Sequence, residues 1–137
     1  MREQNAVILD GASSGDEEFS PILSVLSQVL RADGARVETF ALCEMKLAHC
    51  LGCFGCWVKT PGVCVEADAG RQIAKAVIQS GVAVFFTPVT FGGYSPELKK
   101  MVDRLVQIAS PYFQMDHGEV HHPPRYAHRP RLIMVGV

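Results

Sequence analysis

The stretch Val82–Leu105, VAVFFTPVTFGGYSPELKKMVDRL, decides the fold. Val82 to Phe86 are all apolar. An unbroken apolar run suits a strand covered on both faces, because neither face meets water. Pro88 has no N–H to give a sheet ladder, so the strand ends before it. Ser95-Pro96-Glu97 then opens a helix, with a capping hydroxyl, a proline at the first helical position and an acid in the first turn. Leu98, Met101, Val102, Leu105, Val106 and Ala109 fall at helical spacing and form its apolar face. A doubly buried strand feeding an amphipathic helix is one unit of a parallel α/β sheet.

The same alternation recurs on either side. Asn5 to Leu9 is an apolar run that stops at Asp10-Gly11, a strand and its turn. Ile22, Leu23, Leu26, Val29 and Leu30, with Phe19 before them, have helical spacing. Ser20-Pro21 reads as N-cap and first helical position, and Gly34 ends that helix. Arg36 to Leu42 alternates and predicts a second strand. Ile73, Ala74, Val77 and Ile78 predict a second helix, ended by Gly81. Leu132 to Val137 predicts a fourth strand. Right-handed crossovers leave few arrangements, and the expected one is a flavodoxin-like doubly wound parallel sheet of order 2-1-3-4. Ligands of such sheets sit at the switch point, here the loops Gly11–Ser20 and Thr87–Ser95. Residues 1–137 are expected to form one domain without internal repeats. The sequence stops inside an apolar strand, RLIMVGV. The usual C-terminal strand and helix are therefore expected to be missing, or another chain covers that edge.

Composition narrows the function. The chain has 137 residues, 48% hydrophobic and 20% charged, with net charge -1 from 13 basic and 14 acidic residues. That balance gives no electrostatic footprint for nucleic acid. No apolar run reaches the roughly 18 residues of a membrane helix. Met1 to Asp10 reads as the lead-in to a strand rather than a leader peptide. A cytoplasmic protein with reduced thiols is the expectation.

The run Cys50-Leu-Gly-Cys53-Phe-Gly-Cys56 and then Cys64 places four of the five cysteines within fifteen residues. Two successive x2 steps suit three corners of a cubane iron–sulfur cluster, and Gly52 and Gly55 give the backbone freedom to wrap it. Cys64, after Pro61-Gly62, is placed to close the fourth corner. Zinc also takes four thiolates, although usually from two separated C-x2-C pairs. A thioredoxin-like dithiol and four unliganded thiols stay open beside it. Met115 to Arg131 carries His117, His121, His122 and His128 among prolines and without helical pairing, which predicts an irregular loop. Arg125, Arg129 and Arg131 offer positive charge there to an anionic partner.

With the segment TPVTFGGYSPELKKMVDRL and the cysteine run in this order, the chain resembles the NAD(P)H-dependent FMN reductases of the flavodoxin-like superfamily. More narrowly, it resembles the iron–sulfur flavoproteins. The resemblance spans nearly all of the chain. It implies a [4Fe-4S] cluster on Cys50, Cys53, Cys56 and Cys64. It also implies FMN with its ring along Pro88, Val89, Thr90, Phe91, Gly92 and Gly93. Ser13, Ser14 and Ser20 of the first loop are the implied phosphate contacts, beside free N–H groups at a helix N-terminus. That loop departs from the family's pattern, since it lacks the usual Arg and Thr and carries Asp16, Glu17 and Glu18. Asp103 and Arg104 belong to the matching segment but read as a solvated helix face with a local ion pair. The implied activity is a flavin-dependent oxidoreductase passing electrons between FMN and the cluster, or NAD(P)H. Its partner would be a redox protein or a nicotinamide, and its state a homodimer or larger homo-oligomer. The alternative is a flavodoxin-like metal-binding or interaction module without flavin.

Overall fold

The computed structural model of the chain describes residues 5–137. The reading of residues 1–4 as no part of a leader lies outside them. Strand β1 (Asn5–Asp10) leads to helix α1 (Ser20–Ala32) and strand β2 (Arg36–Ala41). A short helix α2 (Gly55–Val58) precedes α3 (Ala69–Gln79) and strand β3 (Val82–Thr87). A small hairpin, β4 (Val89–Thr90) and β5 (Gly93–Tyr94), leads into α4 (Pro96–Arg104). A second hairpin, β6 (Gln114–Asp116) and β7 (Glu119–His121), precedes β8 (Arg131–Gly136).

Four parallel strands form the main sheet in the order β2-β1-β3-β8. This is the expected 2-1-3-4 order, with β8 as the fourth strand. The register sets Ile8 beside Thr39 and Val84, and Val84 beside Ile133. Successive side chains of a strand point to opposite faces, so each central strand serves two cores. Val7, Leu9, Ala83 and Phe85 pack under Ile73 and Val77 of α3 and Leu98 and Met101 of α4. Ile8, Val84 and Phe86 face the other way, onto Leu23, Leu26 and Leu30 of α1. Leu98 and Met101 are fully buried, and burial of such a side chain stabilises by about 2 kcal/mol. On the edge strand β8, Leu132, Ile133 and Met134 are exposed. No helix among the described residues is long and apolar enough to cross a membrane.

The helix starts differ from one another. Ser95 caps α4 as expected, its hydroxyl accepting the Leu98 N–H at 3.2 Å. The same hydroxyl donates to Gly11 O at 2.6 Å, and Ser95 N–H donates to Thr87 Oγ1 at 2.8 Å. One serine thus ties the loop after β1 to the loop after β3. Gly11 permits the approach, because a Cβ there would lie 2.8 Å from Leu98 Cβ and 2.9 Å from Phe86 O. Ser20 does not cap α1. A 3-10 turn over Glu17–Phe19 runs straight into that helix, so Ser20 is already helical and Phe19 holds the cap position.

The histidine-rich segment also departs from expectation. It holds the β6–β7 hairpin, whose turn has positive φ at His117 and Gly118. Two successive positive φ values are what a tight hairpin turn needs. The His-Gly pair lacks the usual Asn or Asp signal, so the segment reads as a loop in sequence. Its histidines have separate partners: Asp116 for His117, Glu119 for His121, Tyr112 O for His122 and Ser80 O for His128.

Candidate functional site

The cysteine run curls because Gly52 and Phe54 both adopt left-handed backbone, at φ 63° and 52°. Cys56 falls on the first turn of α2 and is buried, Cys64 is half-buried, and Cys50 and Cys53 are exposed. All five cysteines are free thiols. Cys50, Cys53, Cys56 and Cys64 line one cavity of about 530 Å³, with Phe54, Val65, Val102, Arg104 and Val106 among its walls. Burial pushes the Cys56 thiol up, and the charges of Cys64, Cys50 and Cys53 add to the effect. The Gly55 N–H points at Cys53 Sγ at 3.5 Å. Among the described residues, no three His, Cys, Asp or Glu side chains surround the position of a single metal ion.

A frame of long-range bonds holds this loop. Trp57 Nε1 donates to Val106 O at 3.0 Å and anchors α2. The Cys64 N–H donates to Gln107 Oε1 at 3.1 Å, and Arg71 Nε donates to Cys64 O at 2.8 Å. Behind them stands a buried ion pair. Arg104 grips Asp68 with two parallel bonds, Nη1 to Oδ2 at 2.9 Å and Nη2 to Oδ1 at 2.8 Å. Asp68 is also the N-cap of α3, accepting the Gly70 N–H, and it accepts the Ala48 N–H. The solvated-face reading therefore holds for Asp103, which pairs with Lys99 at 2.6 Å, and fails for Arg104, whose side chain is fully buried. Arg104 stands three residues after Met101 and so shares the buried side of α4. That placement inside an apolar stripe was the available sequence signal. Asp68 carried a weaker one, as a capping residue type before Ala69-Gly70. Trp57 and Gln107 carried none, because their partners are distant in sequence, and Arg71 carried none, because it bonds only to backbone carbonyls.

The Arg104 guanidinium holds the Asp68 carboxyl well below its usual range, to about 2. The pair's contribution is therefore full above the ordinary carboxylate pKa near 3.8. It is lost as pH falls through about 2, which corresponds to roughly 2 kcal/mol. Acid unfolding followed by circular dichroism should show this loss between about pH 4 and about pH 2. Asp68→Asn should flatten that limb. An unchanged acid limb in Asp68→Asn would count against the pair.

The two loops at the switch point are not alike. In the β4–β5 hairpin, Val89 pairs with Tyr94 and Thr90 with Gly93, and the turn has positive φ at Phe91 and Gly92. Val89, Thr90, Phe91, Gly92 and Gly93 are all exposed, whereas Pro88 is buried at the end of β3. This leaves an open rim with one free aromatic ring, Phe91, at its tip. In the first loop, Ser13, Ser14 and Ser20 line one cavity of about 240 Å³, together with Asp10, Asp16, Glu17 and Glu44. The Ala12 N–H donates to Asp10 Oδ1 at 2.9 Å and the Ser13 N–H to Asp16 Oδ2 at 2.8 Å. Burial raises the Asp10 carboxyl, with Glu44 and Asp16 adding to it. The open hairpin leaves the backbone of Val89–Gly93 accessible beside the exposed Phe91 ring. The first loop fits a dianion only once Asp16 releases its amide. Val102, Asp103 and Arg104 of α4 line the cysteine cavity, so the helix that follows the hairpin borders that site.

A parallel sheet of this order, with its open loops at the carboxyl ends of β1 and β3, defines a flavodoxin-like α/β protein. The family model for NADPH-dependent FMN reductases matches residues 7–134. The chain belongs to that family. It is also similar to two iron–sulfur flavoproteins of Methanocaldococcus jannaschii. One is 33% identical over 72 residues, covering 53% of this chain and 36% of the relative. The other is 31% identical over 91 residues, covering 66% of this chain and 46% of the relative. The chain thus covers less than half the length of each.

Proposed function

We propose that the chain is a flavin-dependent oxidoreductase that carries FMN beside a [4Fe-4S] cluster on Cys50, Cys53, Cys56 and Cys64. The observation that carries this reading is the single cavity shared by the four free thiols, next to the helix that the open hairpin feeds. The compact run of two x2 steps suits a polynuclear cluster better than zinc, which usually takes two separated C-x2-C pairs. Membership of the FMN reductase family supports the flavin. When bound, FMN would supply two-electron and one-electron chemistry and the cluster one-electron chemistry. The donor we assign is NAD(P)H or a redox partner protein.

The chain's own residues have defined tasks in this reading. The four thiolates hold iron, and the Gly55 N–H supports the Cys53 sulfur. Phe54, Val65, Val102 and Val106 keep water from the cavity wall. Pro88 to Gly93 lie along the ring, with Phe91 free to cover it. Ser13, Ser14 and Ser20 face the phosphate. Ser95 keeps the phosphate loop and the ring loop in one frame through Gly11 and Thr87. We further take residues 1–137 as one domain of a cytoplasmic homodimer or larger homo-oligomer.

The test is purification without oxygen, followed by assay of flavin, iron and acid-labile sulfide per chain. Flavin with iron and sulfide in equal amounts supports the proposal. Colourless protein with stoichiometric zinc sinks it. The first loop favours a second reading, a metal-binding or interaction module without flavin, because its amides already serve carboxylates. Flavin fluorescence titration separates the two. Asp16→Asn should raise FMN affinity about tenfold, since one like charge near the phosphate and a competing acceptor are both weakened. Riboflavin, which has no phosphate, should bind both proteins equally. If FMN binds neither protein, the second reading stands.

A further inference from the structure

Arg104 has five N–H donors to satisfy, and the fold satisfies those at one end of its guanidinium. Nη1 donates to Asp68 and to Ala48 O, and Nη2 donates to Asp68 and to Glu66 O. Its Nε is buried and, among the described residues, has no hydrogen-bond partner. A buried donor left unmade costs about 1–3 kcal/mol. It persists in a native fold for a reason such as an absent group. The side chain lines the same cavity as the four cysteines. Gln107 ties the two residues together, its Oε1 accepting the Cys64 N–H at 3.1 Å and its Nε2 donating to Arg104 O at 2.9 Å. The guanidinium plane has little freedom to turn away. Asp68 holds its far edge in a fork, and Gly70 lies flat against it, where a Cβ would sit 2.8 Å from Nη2.

We propose that Arg104 is a positioning residue of the cysteine site, its Nε–H donating to the Cys64 sulfur. This rests on the cluster reading given above. A hydrogen bond to a ligating sulfur withdraws electron density from the cluster and favours its reduced form. The charge of Arg104 is largely matched by Asp68, so the directional bond carries the effect. Glu66 and Asp103 also border the cavity and oppose reduction. A fixed donor on the sulfur offsets them. Asp68 acts through Arg104, by fixing the plane from which Nε points.

The test uses whole protein reconstituted anaerobically with iron and sulfide and reduced by one electron with dithionite. In protein grown with [15N]arginine, pulsed electron paramagnetic resonance should detect a 15N coupling to the reduced cluster. The coupling should vanish in Arg104→Lys and persist in Arg71→Lys. Arg104→Lys is compared with the parent after both are reconstituted to the same iron content. Its midpoint potential should fall by a tenfold change in the one-electron equilibrium, about 59 mV. Iron-loaded parent protein without the coupling overturns the role of Arg104 and leaves the cluster reading intact. The coupling in the parent decides the matter even if Arg104→Lys does not fold. An unchanged potential in a folded, iron-loaded Arg104→Lys overturns it as well. Protein that takes up neither iron nor sulfide overturns the cluster reading together with this role.

Discussion

Cys56→Ser protein, reconstituted with iron and sulfide under anaerobic conditions, is expected to lose the cluster. Cys56 is the buried member of the four, on the first turn of α2, and it lines one cavity with the other three. Serine shortens the reach and replaces a soft thiolate by a hydroxyl, a poor ligand for iron–sulfur clusters. Disturbing an outer-shell partner alone costs about 10–100-fold in metal affinity, so loss of a ligand should exceed that. Iron per chain and the visible charge-transfer shoulder both report it. Cys43→Ser is the control. Cys43 is exposed and borders the first-loop cavity, away from the cysteine cavity. It should keep the parent's iron content. Equal iron in Cys56→Ser and the parent would remove Cys56 from the ligand set.

Arg104→Met should lose about 3–5 kcal/mol of stability, because it leaves the Asp68 carboxylate buried without its cation. Asp68 keeps the Gly70 and Ala48 N–H groups but loses both guanidinium bonds. The double variant Arg104→Met, Asp68→Asn should recover most of that loss. A neutral amide needs no counter-ion, methionine fills much of the arginine's volume, and the asparagine oxygen still caps α3. Urea unfolding of the parent, both single variants and the double variant yields the coupling energy directly. Additive losses would mean that the pair does not work as a unit. The result also bears on function, since Ala48 and Glu66, whose carbonyls Arg104 holds, flank the cysteine run.

Much of the fold was legible because local chemistry repeats it at every level. β1 and β3 are continuous apolar runs, and they became the two central strands buried on both faces. Pro88 ended β3 and Ser95-Pro96 opened α4 for reasons carried by those residues alone. Where a neighbouring segment intervened, the reading slipped. Ser20 had the chemistry of a cap, but the turn over Glu17–Phe19 had already started the helix. The β6–β7 turn used a histidine where asparagine or aspartate is the usual signal.

The candidate site divides along the same line. The spacing of Cys50, Cys53, Cys56 and Cys64 could be read directly, since consecutive ligands on one loop need only a short, flexible backbone. The acidic residues of the first loop could be read too, but not that Asp16 takes the Ser13 amide. Arg104 and Asp68 are 36 residues apart and meet only because α4 packs beside the start of α3. Local interactions are written in neighbouring residues, so strands, helices, turns and the order of the thiols followed from composition and spacing. The worth of a charge depends instead on its burial and on what faces it. Packing of distant elements sets both, and it made a seemingly solvated arginine the buried neighbour of four thiols.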